Sequence, residues 1–268
     1  LRRSLAMIGW VGLGTAVFAG LVFLASRAWP LRSIRGGALP SLGCASTFKG
    51  STFTVATYNI HRARGTDGRR DLERIAKVID DCDIVGLQEV EGPGLFRPGN
   101  QACQLGRYLR STAHFSPTRK LLFFAHRGNA LLCRFPVSAW QRSALFPSTG
   151  RAHRNVTVYQ VDVAGSPVHI LNTHLSKPAE GEAPFQAVMH AFAQYPRAIL
   201  VGDFNAGMDH PAMRRWMPAD AVDALAGAGE AVARVDMILV RGLHVNQAWS
   251  SPTGPSDHPF FTVRLQLS

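Results

Sequence analysis

Cysteine is scarce: four in 268 residues, and none of Cys44, Cys82, Cys103 and Cys133 stands in a CxxC pair. That spacing excludes the usual zinc frameworks. One disulfide stays open if the chain folds outside the cytoplasm; otherwise these are ordinary small apolar residues. There is no internal repeat and no low-complexity tract, which excludes solenoids and disordered arrays. Acid is missing from the first 48 positions, which hold five arginines (Arg2, Arg3, Arg27, Arg32, Arg35). The formal net charge of +11 is therefore uneven: from Lys49 onward 24 basic residues face 18 acidic ones. A moderately basic body suits nucleic acid, phosphoinositides or an anionic membrane, and does not choose among them.

Charge is also absent from the 22 residues Leu5 to Ser26, "LAMIGWVGLGTAVFAGLVFLAS". A helix of that length spans about 30 Å, the thickness of a bilayer core. It is apolar on all faces, unlike a surface helix. A transmembrane anchor is expected within residues 1–29, with a signal peptide as its rival. The arginines flanking the span hardly vote on orientation. A short tail kept inside places the main domain outside the cytoplasm, in a single-pass membrane protein. The chain opens on Leu1, so a few preceding residues are expected. Residues 30–50, rich in Gly, Pro and Ser, read as a linker, and 51–268 as one folded domain.

Within that domain the pattern alternates. "FTVATYNI" and "DIVGLQEV" read as strands, with a helix between them placing Leu72, Ile75, Ala76 and Ile79 on one face. "LLFFAHRGNALLCRFPV" reads as two strands broken at Gly128 and Asn129, and "NVTVYQVDVAGSPVHILNT" as a hairpin turning near Gly165 and Ser166. "EAPFQAVMHAFAQY" reads as a helix. "AILVGDF", "ARVDMILV", "LHVNQAW" and "FFTVRLQL" complete the strands. Many strands with few helices argue for sheets covered by helices, within the α/β (α+β) class.

Polar residues recur at the ends of these apolar strands. Asn59, Glu89 and His174 each end one. Asp203 ends another, with Asn205 two positions on and sharing its face if the strand persists. Asp236 interrupts "ARVDMILV", and Asp257 and His258 precede the last strand. Taken singly, each has a bland reading: a turn for "GDFN", a cap for Asp257, a hydrogen-bonded core histidine for His174. Four carboxylates beside apolar strands are costly unless paired, hydrogen-bonded or metal-bound. An oxygen-rich set suits Mg²⁺ or Mn²⁺, and the inventory fits metal-assisted hydrolysis of a phosphoester.

The ordered series "TYNIH", "LQEVE", "GNALLCRFP", "NTHLS", "GDFN", "RVDMILV" and "SDHPFFTVRL" resembles the endonuclease/exonuclease/phosphatase superfamily over residues 53–268. The resemblance implies a four-layer αββα sandwich of two mostly antiparallel sheets, here preceded by the N-terminal transmembrane helix. It implies that Glu89, Asn59 and Asp257 hold the metal, and that Asp203 and Asn205 position the attacking water and the phosphate. His258, oriented by Asp236, becomes the general base, and His174 serves a phosphate oxygen or the leaving group. Arg134 is a further candidate for phosphate contact, against a surface reading. His61, His114, His126, His153 and His169 stay unassigned, with His61 and His153 the two worth testing.

The implied activity is a divalent-metal-dependent phosphodiesterase. Its expected partners are a phosphoester substrate, nucleic acid or a lipid head group, and a membrane through residues 5–26, with the chain a monomer. An endonuclease-like activity on nucleic acid leads, with a phospholipid or sphingolipid phosphodiesterase or a phosphoinositide-type phosphatase as alternatives. Only 30 residues lie between Asn205 and Asp236, mostly small and apolar, with Arg214, Arg215 and Trp216 among them. That leaves little with which to grip a long duplex.

Overall fold

The computed structural model describes residues 12–23, 28–40, 50–94, 97–121, 123–147, 153–177, 181–226 and 234–267. Two seven-stranded sheets face each other. The first runs in the order β1 (Ala28–Pro30), β5 (Thr112–Leu121), β6 (Phe124–Cys133), β4 (Ile84–Glu91), β3 (Thr52–Asn59), β14 (Phe260–Leu267), β13 (Leu243–Ser251). The second runs β11 (Val222–Asp223), β12 (Asp236–Arg241), β10 (Ala198–Asp203), β9 (Ser166–His174), β8 (Arg154–Val163), β7 (Val137–Leu145), β2 (Ile34–Gly36). Neighbours are antiparallel except β3 with β4 and β9 with β10.

Alternation along each strand builds three cores. Ile199 and Val201 of β10 point between the sheets with Val55, Ile84, Tyr159 and Phe261, all buried. Ala198 and Leu200 point the other way, against α4 (Ala183–Ala193) and α5 (Pro211–Trp216) through Phe185, Val188, Phe192 and Met213. On the far side, Ala56 and Tyr58 of β3 meet α2 (Leu72–Ile79) and α3 (Gln101–Tyr108) through Ile75, Ile79 and Leu105. Helices, sheet, sheet and helices make the expected four layers. Asp71 starts α2 by accepting the Glu73 and Arg74 amides at 2.9 and 3.2 Å. The sheets touch at Gly86, where an added Cβ would stand 2.3 Å from Val201 Cγ2.

Several expectations change. Gly128 and Asn129 do not break a strand; β6 runs through them because both edges pair, with β4 and β5. Residues read as a linker contribute β2, which pairs with β7, and β1 closes the edge of the first sheet. The register sets Pro30 opposite Arg119 and Ala28 opposite Leu121. Unpaired sheet edges invite cover, which outweighs the Gly/Pro composition here. Residues 12–23 are helical (α1), with Leu13, Val17, Phe18, Leu21 and Phe23 more than half exposed. Among the described residues no helix is long and apolar enough to cross a membrane; residues 5–11 and 24–26 of the expected span lie outside them. Cys82, Cys103 and Cys133 carry free thiols, and Cys44 lies outside the described residues.

His114 is packed between the sheets, its Nδ1 3.0 Å from Tyr159 Oη. Burial, then the Arg142 charge, pushes its pKa down from 6.5 to about 4. The folded state therefore resists a proton that the unfolded chain accepts below 6.5. Its contribution is full above 6.5 and is lost as pH falls from 6.5 toward 4. His114→Gln should flatten the fall of unfolding free energy between pH 6.5 and 5 by up to about 1.4 kcal/mol per pH unit, read by denaturant titrations at each pH; an unchanged slope would refute this.

Candidate active site

Sheet register gathers the polar residues. Asp203, last in β10, lies opposite His174 on β9 and Asp236 on β12. In the facing sheet Asn59 ends β3, and Glu89 sits where β4 slips register between Leu87 and Val90. Glu89 takes a left-handed conformation, φ 53°. A non-glycine residue there costs about 1–2 kcal/mol, a strain that marks functional positions. Strand β10 does not persist to Asn205. Phe204 turns into the core, and Asn205 (φ 51°) donates its N–H to Asp203 Oδ1 at 2.9 Å. The two side chains meet through a turn, not through strand alternation.

Asp203 is the hub. Asn59 Nδ2 donates to its Oδ2 at 3.0 Å, while His174 Nε2 stands 3.3 Å and His258 Nε2 3.8 Å from the same oxygen. His258 Nδ1 meets Asp236 Oδ2 at 2.8 Å. Asn205 Nδ2 donates to Leu175 O at 2.8 Å and lies 3.3 Å from His174 Nε2. Ser256 Oγ donates to Asn59 O at 2.6 Å, seating the loop before His258. On the outer side Asp257, half exposed, meets His61 Nδ1 at 3.2 Å, and the His61 amide donates to Asn59 Oδ1 at 3.1 Å. His61, Arg62 and Ala63 are all left-handed, a second strained segment beside the site.

Charge follows from burial. Burial raises the Asp203 pKa, opposed by the His258 charge and the Asn205 and Asn59 hydrogen bonds. Burial likewise raises Asp236 to about 6 against its hydrogen bond with His258. His258 is itself penalised by burial, yet the Asp236 hydrogen bond and the Asp236, Asp203 and Asp257 charges lift it to about 9. His174 moves the other way, well below 6.5, through burial and the neighbouring Arg154, His258 and Arg127 charges. At pH 7 His258 is a cation and His174 is neutral.

The residues expected as metal ligands and as catalysts come to the same end of the sandwich. Among the described residues the compact acid–imidazole group is Asp203, Asp236 and His258, with ligand atoms within 4.8 Å of one another; Glu89 and Asp257 stand outside it. The residues expected to hold the metal, Glu89, Asn59 and Asp257, all offer oxygen donors. Such a set fits a hard divalent cation. Arg134 is not brought here. It leaves the far end of β6 and bonds Asp80, at the end of α2. Arg215 and Trp216 are tied to Glu182 at 3.0 and 3.1 Å.

Sequence reasoning missed the basic side of the site. Arg119, Arg127 and Arg154 line a cleft shared with Glu89, His174 and His153, the last already singled out for testing. Arg127 and Arg154 lie at the starts of β6 and β8, and the starts of strands antiparallel to β4 and β9 gather where those two end. Only the pairing reveals this. Of the other histidines, His169 stacks on Tyr195 at 4.0 Å, a structural contact.

A chain whose paired sheets gather this set at one end fits a class of phosphoester hydrolases, and comparison with known proteins agrees. The family model "Endonuclease/Exonuclease/phosphatase family" matches residues 56–258, and the chain belongs to that family. Its members hydrolyse phosphoesters and depend on a divalent metal. Solved structures share the fold. An endonuclease/exonuclease/phosphatase protein of Beutenbergia cavernae is 22% identical, TM-score 0.68, over 82% of this chain and 72% of that one. Truncated Caenorhabditis elegans TDP2 is 20% identical, TM-score 0.58, over 82% and 99%. A Bacteroides thetaiotaomicron mannosyl-6-phosphatase is 18% identical, TM-score 0.59, over 80% and 99%. A search of curated protein sequences finds no significant match.

Proposed function

We propose that the chain is a divalent-metal-dependent phosphodiesterase working at this site. The observation that carries the reading is the buried Asp203 carboxylate, within reach of Asn59, His174 and His258 at once. With His258 lifted to about 9, we assign it to the phosphate charge in place of the base role expected for it. Asp203 instead orients the attacking water and takes its proton as oxygen adds to phosphorus. Protonated His258 and the Asn59 and Asn205 amides steady the phosphate oxygens. Asp203 and His258 are 3.8 Å apart and so lie on one side of phosphorus. In-line geometry sends the leaving oxygen to the other side, where it takes a proton from solvent. Mg²⁺ or Mn²⁺, held by Glu89, Asn59 and Asp257, would supply Lewis-acid stabilisation of the phosphate charge.

Nucleic acid remains the first substrate to offer. The exposed apolar side chains of α1 favour a second reading, a lipid head group, with residues 5–26 anchoring the chain and the 51–268 domain outside the cytoplasm. The test offers plasmid DNA, RNA, sphingomyelin, phosphatidylglycerol and a phosphoinositide with Mg²⁺ or Mn²⁺, alongside His258→Ala. Turnover should vanish with EDTA and return with metal. Metal-independent turnover, or none on any substrate, would end the proposal.

A further inference from the structure

The cleft beside Glu89 and His174 is unlike the rest of the site. Arg119, Arg127 and Arg154 reach it from three strands in two sheets, and Glu89 is the only acid among its lining residues. Its space is about 100 Å³, and its lining includes no aliphatic or aromatic hydrocarbon side chain. Such a wall recognises charge. Arg154 is held in place through its Nε, 3.1 Å from Ser176 Oγ. Just outside, Arg62 Nε is buried with no hydrogen-bond partner. We infer that this cleft binds a second phosphate, so that the substrate carries one close to the phosphate that reacts.

The electrostatics agree. The Arg119 pKa is lowered by burial and then by Arg127 and Arg154; that of Arg127 is lowered by burial and then by Arg62. Half-buried guanidiniums that repel one another are costly even beside Glu89, whose charge acts the other way, and a dianion between them lessens that repulsion. A lone diester phosphate carries one charge and is already served by Asp203's neighbours. The chemistry asked for is a phosphomonoester, whether the end of a short nucleotide or a phosphate on a head group.

The substrate side of this inference rests on the phosphodiesterase reading; the binding side does not. Calorimetry of the full chain with pyrophosphate, in EDTA so that nothing turns over, should show at least tenfold weaker binding for Arg119→Gln and Arg154→Gln. Arg119→Lys, which keeps charge but loses the fork, should fall between, and Tm confirms that each variant folds. With metal, two matched pairs separate the sources: 5′-phosphorylated against unphosphorylated thymidylyl-thymidine, and glycerophosphoinositol 4-phosphate against glycerophosphoinositol. In one pair the phosphorylated member should be preferred at least tenfold in kcat/KM, with the preference lost in Arg119→Gln. Equal pyrophosphate binding by wild type and variants, or turnover indifferent to the second phosphate, overturns the inference and leaves the phosphodiesterase standing. Arginine-dependent pyrophosphate binding with no turnover supports the cleft and removes the phosphodiesterase.

Discussion

Asp203→Asn should leave the fold intact and lower kcat on any accepted substrate by roughly 10²–10⁴-fold, the usual worth of a general base. The substitution keeps size and shape at a position that is 2% exposed. It keeps an oxygen to accept from Asn59 or from the Asn205 amide, and removes only the basicity and the charge. Because burial raises the Asp203 pKa, wild-type activity should also fall on the acid side earlier than for an ordinary carboxylate, as the base becomes protonated. Steady-state rates with matched Tm values check both. A loss smaller than tenfold would mean that another group takes the proton.

Asp236→Asn should shift the titration of His258. Removing the anion 2.8 Å from Nδ1 removes the largest influence holding the imidazole near 9, so its midpoint should fall toward or below 6.5, read by NMR on the metal-free protein. The cation that steadies the phosphate is then lost from the alkaline side first, and kcat at pH 8 should drop about 10²-fold while the acid limb stays in place. The effect on stability has a different sign history. The raised His258 contributes stability that is present below 6.5 and is lost as pH rises through about 9. The raised Asp236 acts against it, a penalty that builds as pH rises from 3.8 and is full above about 6. The two largely offset at neutral pH, so Tm should change little. An unmoved His258 midpoint would show that the pair is not what sets its charge.

Much of this site could be read without coordinates because its acids and amides sit at the ends of apolar runs, where burial makes each one costly and hence noticeable. Asn59, His174, Asp203 and Asp236 belong to that kind. The arginines do not: Arg119, Arg127 and Arg154 stand at or near strand ends where a basic residue looks like a solvated surface group. Only strand order brings those ends beside Glu89. Arg134 misled for the same reason, since it sits at the other end of the same strand as Arg127. In the fold, period-two and 3.6-residue patterns revealed β3, β4, β8–β10 and the α2 and α4 helices. Strand β5, with polar residues on both faces, carried no such period. The Gly-Asn pair in β6 looked like a hairpin turn. Two paired neighbours overrode it.

The pairing of β1 with the last residues of β5 sets a working distance. Pro30 lies against Arg119, so the chain enters the first sheet at the edge strand that also supplies the arginine cleft. Strand β1 begins at Ala28, two positions past the proposed 5–26 anchor. With α1 in a membrane, as proposed, the catalytic mouth is on a short leash and explores a thin layer above the lipid instead of a volume. Substrate supply becomes a two-dimensional search: anything in that layer is met at high effective concentration, and a soluble polymer is met only where it grazes the surface.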